Sequence, residues 1–435
     1  MKKRLLLLLI LSLVFVTCAS GCGQKSLLNP DNPVTLTLWH VYGEQADSPM
    51  NRLIDEFNSS VGKEKGIIVE EIYQGNYNTN VTKIQLGSQS GDIPVIAVTS
   101  SAHTAMLLDD NLTADMAPYM AETGFDLNNL LNVFLNVPAI HDGEVHTLPY
   151  VRSTPVFYYN KTMADAKGLT APKTIADMET FCKALHTVNA ATGEVDTWGF
   201  LMLEDTSFIQ GGLLWSTGSP LVAEGGTSPA LENKSLLRLF SDWRRWVDEG
   251  WCKPYAPTNA SAECTELFYR GKLAAFIASC GSLGNIKKFA AENGFELGVS
   301  YLPYYDEPAT GSGGGNICLI NGNSDEQLRA GWEFINFIMQ DEWVALNAIK
   351  TGYVPGTKSV AENETMKAAW AEDPNTRVAY DQLAWAYGNE TPYFPERMEF
   401  VQIIAAATSL LIQEQSITPE EAFEQVQNDS AHLFN

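Results

Sequence analysis

Val34-Thr-Leu-Thr-Leu-Trp39 alternates apolar and polar residues, the period of a half-buried strand. Met50, Leu53, Ile54, Phe57 and Val61 then recur at the spacing of one helical face. Ile67 to Tyr73 returns to strand character, Val81 to Leu86 to helix, and Ile93-Pro-Val-Ile-Ala-Val98 reads as a buried strand. This alternation leaves few topologies open. Strand, helix and strand in succession indicate an α/β lobe with a mainly parallel sheet. The same grammar continues downstream. Pro155 to Asn160 is apolar and aromatic, Leu236 to Val247 an amphipathic helix, and Leu273 to Ala278 a buried strand. Gly331 to Met339, Ile403 to Leu411 and Glu420 to Val426 read as helices. There is no short-period repeat, and the one low-complexity patch is Thr310-Gly-Ser-Gly-Gly-Gly-Asn316.

The first residues differ in kind. Met1-Lys2-Lys3-Arg4 precedes an apolar run from Leu5 to Leu11, which Ser12 interrupts and Leu13 to Val16 resumes. Ala19, Ser20 and Gly21 follow. A basic start, a short apolar core and small residues at the exit describe a secretory signal peptide. The run falls short of the about 20 residues of a membrane span, so an uncleaved anchor helix is the weaker alternative. Ala19-Ser20-Gly21-Cys22 resembles a bacterial lipobox, where the cysteine is acylated and becomes the new N-terminus. Cys18, preceded by Thr17, fits less well. The expected plan is a lipoprotein signal peptide over 1–21, lipidation at Cys22 and a polar tether over 22–33. The mature protein would then stand outside the cytoplasmic membrane, at the cell surface or in the periplasm, held by its acyl chains.

About 400 residues remain, enough for two domains. Lys and Arg number 28 against 52 Asp and Glu, and loss of Lys2, Lys3 and Arg4 widens the excess. That argues against nucleic acid, whose phosphates need basic clusters. Five cysteines remain once Cys18 and Cys22 are set aside: Cys182, Cys252, Cys264, Cys280 and Cys318. An odd number leaves no complete disulfide framework. Cys252 and Cys264 are close enough to pair, but nothing demands it. No Cys/His spacing suggests zinc, so no metal site is expected.

Chemistry-bearing motifs are absent as well. HExxH, GxSxG and GxxxxGK[ST] do not occur, and Gly311 to Gly315 lacks the Lys and Ser/Thr of a phosphate-binding loop. Those glycines point instead to a sharp turn or to backbone that something approaches closely. His141 and His146 flank the turn-like Asp142-Gly-Glu144. Carboxylates are too plentiful for a glycosidase pair to be excluded by counting, but none is indicated. No catalytic residue and no cofactor is expected.

Gly75-Asn-Tyr77, Ser153-Thr-Pro-Val-Phe-Tyr-Tyr-Asn-Lys161 and Glu266-Leu-Phe-Tyr-Arg-Gly271 appear in that order. Ala278-Ser-Cys-Gly-Ser-Leu283, Gly313-Gly-Gly315 and Thr351-Gly-Tyr-Val-Pro355 follow. Together these segments resemble the sugar-binding family of extracellular solute-binding proteins of ABC importers, nearest in pattern to its glycerol-3-phosphate-binding branch. The resemblance runs from Val34 to Leu433. It implies an α/β, two-lobed periplasmic-binding-protein-like fold of type II, maltose-binding-protein-like, with hinge strands between the lobes. Crossings are expected near 148–153, 301–304 and 353–357. Lobe one would then hold 34–148 and 305–353, and lobe two 149–304 and 354–435. Lobes of this kind close on their ligand by a hinge motion.

The resemblance also implies ligand-binding positions at Tyr77, Ser153, Ser279, Gly314 and Tyr353. Serine and tyrosine hydroxyls both donate and accept hydrogen bonds, as polyol hydroxyls require, and a glycine lets backbone approach the ligand. Two positions depart from the family pattern. Ser100 stands where the family has a glutamate, and Gln402 where it has the arginine that meets a phosphate. Both suit an uncharged sugar. Arg152 and Arg397 are alternative partners for a phosphate. For Arg152, an ion pair at the surface or between the lobes is the plainer role. The family's tryptophan platform has no direct match; Thr206 stands there, with Phe208 and Trp215 close by. The expected function is capture of a carbohydrate or polyol, with or without phosphate, and delivery to ABC permease subunits. The alternative is a surface enzyme that cleaves a glycan or a phosphodiester.

Overall fold

The computed structural model describes residues 28–42, 49–135, 139–219, 221–222, 231–255, 260–387 and 396–434. The expected signal peptide, Cys18, Cys22 and the tether up to residue 27 lie outside the described residues. Leu28 is buried in the core of the first lobe, so that lobe takes in residues ahead of Val34. Among the described residues, no helix is long and apolar enough to cross a membrane.

The main strands are β1 (Val34–His40), β2 (Ile67–Tyr73), β3 (Ile96–Thr99), β4 (Leu148–Ser153) and β5 (Pro155–Asn160). They continue with β6 (Val195–Leu201), β7 (Leu273–Ser279), β8 (Leu297–Ser300) and β9 (Gly313–Leu319). One sheet has the order β2-β1-β3-β9-β4 and the other β8-β5-β7-β6, with Thr187–Val188 at its edge. Each sheet anchors one lobe. The expected mainly parallel sheet is in fact mixed. β1 runs parallel to β2 and β3, but β9 lies antiparallel to both β3 and β4. In the second sheet only β7 and β6 are parallel. The physical reason is the crossings: β5 and β9 enter their sheets from the other lobe, not from a covering helix of their own, so their direction follows the crossing.

Thr154 alone separates β4 from β5, so one extended segment serves both sheets. On the return path, Tyr304 and Tyr305 still bond to lobe two, through Lys173 and Ser216. The chain joins the first sheet at Gly313, opposite Ser153. The sheet changes therefore fall at Thr154, next to the expected crossing near 148–153, and at Ser312, beyond the one expected near 301–304. Ladder pairing of Gly313 with Ser153 keeps both strands in the first sheet up to these points.

Five helices carry the argument: α1 (Tyr77–Gly87), α2 (Ser101–Asp109), α3 (Leu283–Glu292), α4 (Asp341–Thr351) and α5 (Arg397–Gln413). The Asn76 side chain accepts the Thr79 N–H, which starts α1 at Tyr77, four residues ahead of the apolar pattern. Lobe one packs Phe57 edge-on against Phe334. Lobe two has the larger aromatic core, with Trp246 edge-on to Phe200 and Trp243 and Phe240 beside them. All five described cysteines are buried and free, Cys252 and Cys264 included. Burial pushes the Cys280 thiol up to about 12, against backbone N–H groups that pull the other way.

Candidate ligand cleft

Residues 152–155 are the point on which the expected site converges. Gly313 and Gly314 pair with Ser153 and Arg152, and Ser279 pairs with Pro155. The Cys280 N–H donates to the Thr154 carbonyl at 3.0 Å, and the Val354 N–H to the Arg152 carbonyl at 2.7 Å. Ser153, Ser279, Gly314 and Tyr353 are thus drawn together from four separate stretches of chain. Gly314 requires glycine: its φ is +90°, and a Cβ there would stand 2.1 Å from the Val151 carbonyl oxygen. A Cβ on Gly281 would stand 2.4 Å from the Tyr353 ring, so the ring lies directly against lobe two.

The lobe-one wall comes from the carboxyl ends of the parallel strands. Tyr42 follows β1, Tyr77 follows β2, and Ser100 follows β3. Ligands of open α/β sheets gather at such ends. The Tyr42 hydroxyl is 3.5 Å from that of Tyr77, and its ring is edge-on to Tyr353. Burial, and then Tyr77 and Tyr353 beside it, hold the Tyr42 hydroxyl well above the ordinary phenol range. Ser100 caps α2, and its Oγ lies 2.8 Å from His103 Nδ1. The His103 ring faces Tyr77. Burial, followed by the Arg397 charge, lowers His103 to about 4, so the imidazole is neutral at ordinary pH.

Both candidate arginines are almost wholly buried. Arg152 donates to Asn316 Oδ1 at 3.0 Å and to the Gly314 carbonyl at 3.3 Å, and it covers the Phe134 ring. Arg397 donates to the Ala102 carbonyl and reaches Asp109 at 3.9 Å. The surface setting considered for Arg152 is therefore replaced by an interior one, because its guanidinium fixes the glycine strand to β4. Gln402 lies on the exposed face of α5, opposite the buried Phe400 and Ile404, and is not brought to the Ser153 group. Thr206 opens a π turn, Thr206–Gln210, that also carries Phe208. Trp215 packs edge-on against Tyr387, whose short strand pairs with Thr310–Gly311. Asp205, beside the π turn, is raised to about 7 by burial, although the Phe208 N–H opposes the rise.

The sequence alone did not single out Tyr42, His103, Asn316 or Gly281. The first two could have been found from position: each follows the end of a parallel strand of lobe one. Among the described residues, no group of three or more His, Cys, Asp or Glu is placed to hold a metal.

Residues 52–377 match the family described as bacterial extracellular solute-binding protein. The chain belongs to this family. It is similar to the sn-glycerol-3-phosphate-binding periplasmic protein UgpB of Pectobacterium atrosepticum, with 26% identity over 396 residues, 85% of this chain and 84% of that one. In structure it is similar to UgpB from Mycobacterium tuberculosis in complex with glycerophosphocholine, at a TM-score of 0.80 and 20% identity, covering 92% of this chain and 98% of that one. It also resembles the maltose/maltodextrin-binding domain MalE from Bdellovibrio bacteriovorus bound to maltotriose, at a TM-score of 0.76 and 17% identity, over 92% and 99% of the two chains. The fold is thus the maltose-binding-protein-like one, and the family is one of extracellular solute-binding proteins.

Proposed function

We propose that the solute is a sugar or a polyol, held between the lobes by the hydroxyls of Tyr77, Ser153, Ser279 and Tyr353 and by backbone at Gly314. The observation that carries this reading is the convergence of Ser153, Ser279, Gly314 and Tyr353 on residues 152–155. Neutral groups that both donate and accept line the site, and tyrosine rings offer flat apolar area to a sugar face. The named ligands of the relatives, sn-glycerol 3-phosphate, glycerophosphocholine and maltotriose, all carry such hydroxyls. Closure bends the chain where it changes sheet, at Thr154 and Ser312, and the closed form docks on the permease. No bond of the solute is broken.

Cys22 anchors the protein through lipid, and the segment after it keeps the lobes near their permease at high effective concentration. A thermal-shift panel of sugars, polyols and glycerophosphodiesters tests the ligand, since a compound that binds only the folded state raises the Tm. Chromatography of the recovered compound tests catalysis: it returns unchanged, and turnover would replace the reading with hydrolysis. Labelling cells with a clickable fatty acid tests the anchor, because Cys22→Ala abolishes the label.

A further inference from the structure

Beside the Ser153 group lies a cavity of about 410 Å3, lined by Tyr42, Met50, Tyr150, Asn285, Asn347 and Lys350, among others. Tyr42 and Tyr353 border it, so it is continuous with the hydroxyl-binding site. Resting on the sugar or polyol reading above, we propose that this chamber is a second subsite, and that it takes an oxyanion substituent of the solute, with Lys350 as the cation that meets it.

Three observations converge. The first is charge: in a chain with 52 acidic and 28 basic residues, no carboxylate lines the chamber among the described residues, whereas Lys350 does. Lys350, exposed at the chamber's edge, makes no ion pair among the described residues. The second is Asn347. It is only 5% exposed, it lines the chamber, and its amide makes no hydrogen bond among the described residues. The third is Asn285, on the first turn of α3 in lobe two, which also lines the chamber.

Glycines bring these groups together. A Cβ on Gly284 would stand 2.5 Å from the Lys350 carbonyl, and one on Gly352 would stand 2.6 Å from that of Cys280. The start of α3 in lobe two is therefore pressed against the end of α4 in lobe one. An oxyanion held between Asn285 on one lobe and Lys350 and Asn347 on the other draws the two lobes together. This assigns the anion to Lys350 instead of the interior Arg152 and Arg397. Phosphate and carboxylate share the chemistry; the lysine acts as a point charge that either satisfies.

The test uses the mature full chain with matched probes: glycerol 3-phosphate against glycerol, glucose 6-phosphate and glucuronate against glucose. Titration calorimetry of the wild type, Lys350→Met and Asn347→Leu is run at low and high salt. The expected result is at least tenfold tighter binding of one anionic probe than of its neutral parent. Lys350→Met erases that preference while leaving affinity for the neutral parent, and salt weakens it. The phosphate and carboxylate arms identify which substituent is taken. Equal affinity for charged and neutral probes, or a preference that survives Lys350→Met, overturns the subsite. Binding of no probe at all overturns the sugar or polyol reading itself, and the subsite with it.

Discussion

The two lobes contribute to the cleft by different means. Lobe one presents long side chains at the ends of parallel strands: Tyr42, Tyr77, and the Ser100–His103 pair. Lobe two presents small residues and backbone: Ser279, Gly281 and the first turn of α3. A tyrosine wall discriminates by hydroxyl position and ring area, whereas a glycine face discriminates by fit, because it tolerates no added atom. On the proposed reading, recognition is concentrated in lobe one, and lobe two is the close-fitting cover. The hinge segment between them carries the constraints that keep both in register.

The harshest way to break this arrangement is at the glycine strand. Gly314→Val places a β-branched side chain at φ +90°, with its Cβ 2.1 Å from the Val151 oxygen. The expected cost is about 3 kcal/mol or more, read as a lower urea midpoint. A midpoint within error of the wild type would mean the strand is not pinned to β4. Next comes Gln382, which is 1% exposed. Its amide donates to Thr154 Oγ1 and to the Pro155 carbonyl, and its oxygen accepts the Leu302 N–H at 3.1 Å. One side chain thus ties the first crossing to the segment that leads from β8 toward the second. Gln382→Leu leaves three buried groups unpaired at a cost of about 2–3 kcal/mol, while Gln382→Glu retains the acceptor toward Leu302 only. Unchanged stability in Gln382→Leu would show that the first crossing is held by other contacts.

Much of this was legible in advance, and the limits have physical causes. Periodicity gave the strands Val34 to Trp39 and Leu273 to Ala278 because burial on a pleated surface imposes alternation or an apolar run. It did not give strand direction in the mixed sheets, which depends on where a crossing strand returns and leaves no local mark. The site positions Ser153, Ser279, Gly314 and Tyr353 came from resemblance, and their meeting at residues 152–155 needed the ladder registers. Gln402, carried over from an ungapped comparison, fell on the exposed face of α5. Asn347 carries no sequence signal at all: its place in the chamber wall exists only once α4 faces α3.

The comparison sharpens at the level of affinity. Tyr77→Ala and Tyr353→Ala each weaken binding of the best compound in the thermal-shift panel about tenfold or more, with circular dichroism unchanged. Gly281→Ala, on the lobe-two side, weakens it to a similar degree without removing any ligand contact, because the added Cβ displaces the Tyr353 ring. Affinity that withstands both tyrosine changes would move recognition away from lobe one. Affinity that withstands Gly281→Ala would show that the cover is loose.

The smallest expected effect is a difference in sign between the lobes as pH changes. His103 in lobe one is lowered from 6.5 to about 4, chiefly by burial. As pH falls below 6.5 the unfolded chain takes up a proton that the folded chain refuses, so this group removes stability between 6.5 and about 4. At about pH 5.5 the loss is about 1 kcal/mol. Asp205 in lobe two is raised from 3.8 to about 7, also chiefly by burial. Its contribution is fully present below 3.8 and is lost as pH rises toward 7. His146 and His186 are likewise lowered by burial and share the sign of His103, so differences between variants carry the information, not the wild-type profile. Relative to the wild type, His103→Gln gains ground in urea midpoint as pH drops from about 6.5 to about 4.5, and Asp205→Asn gains ground as pH rises over the same range. Two variant profiles parallel to the wild type would mean that neither group is shielded from solvent as packed, and that the lobes do not differ in this respect.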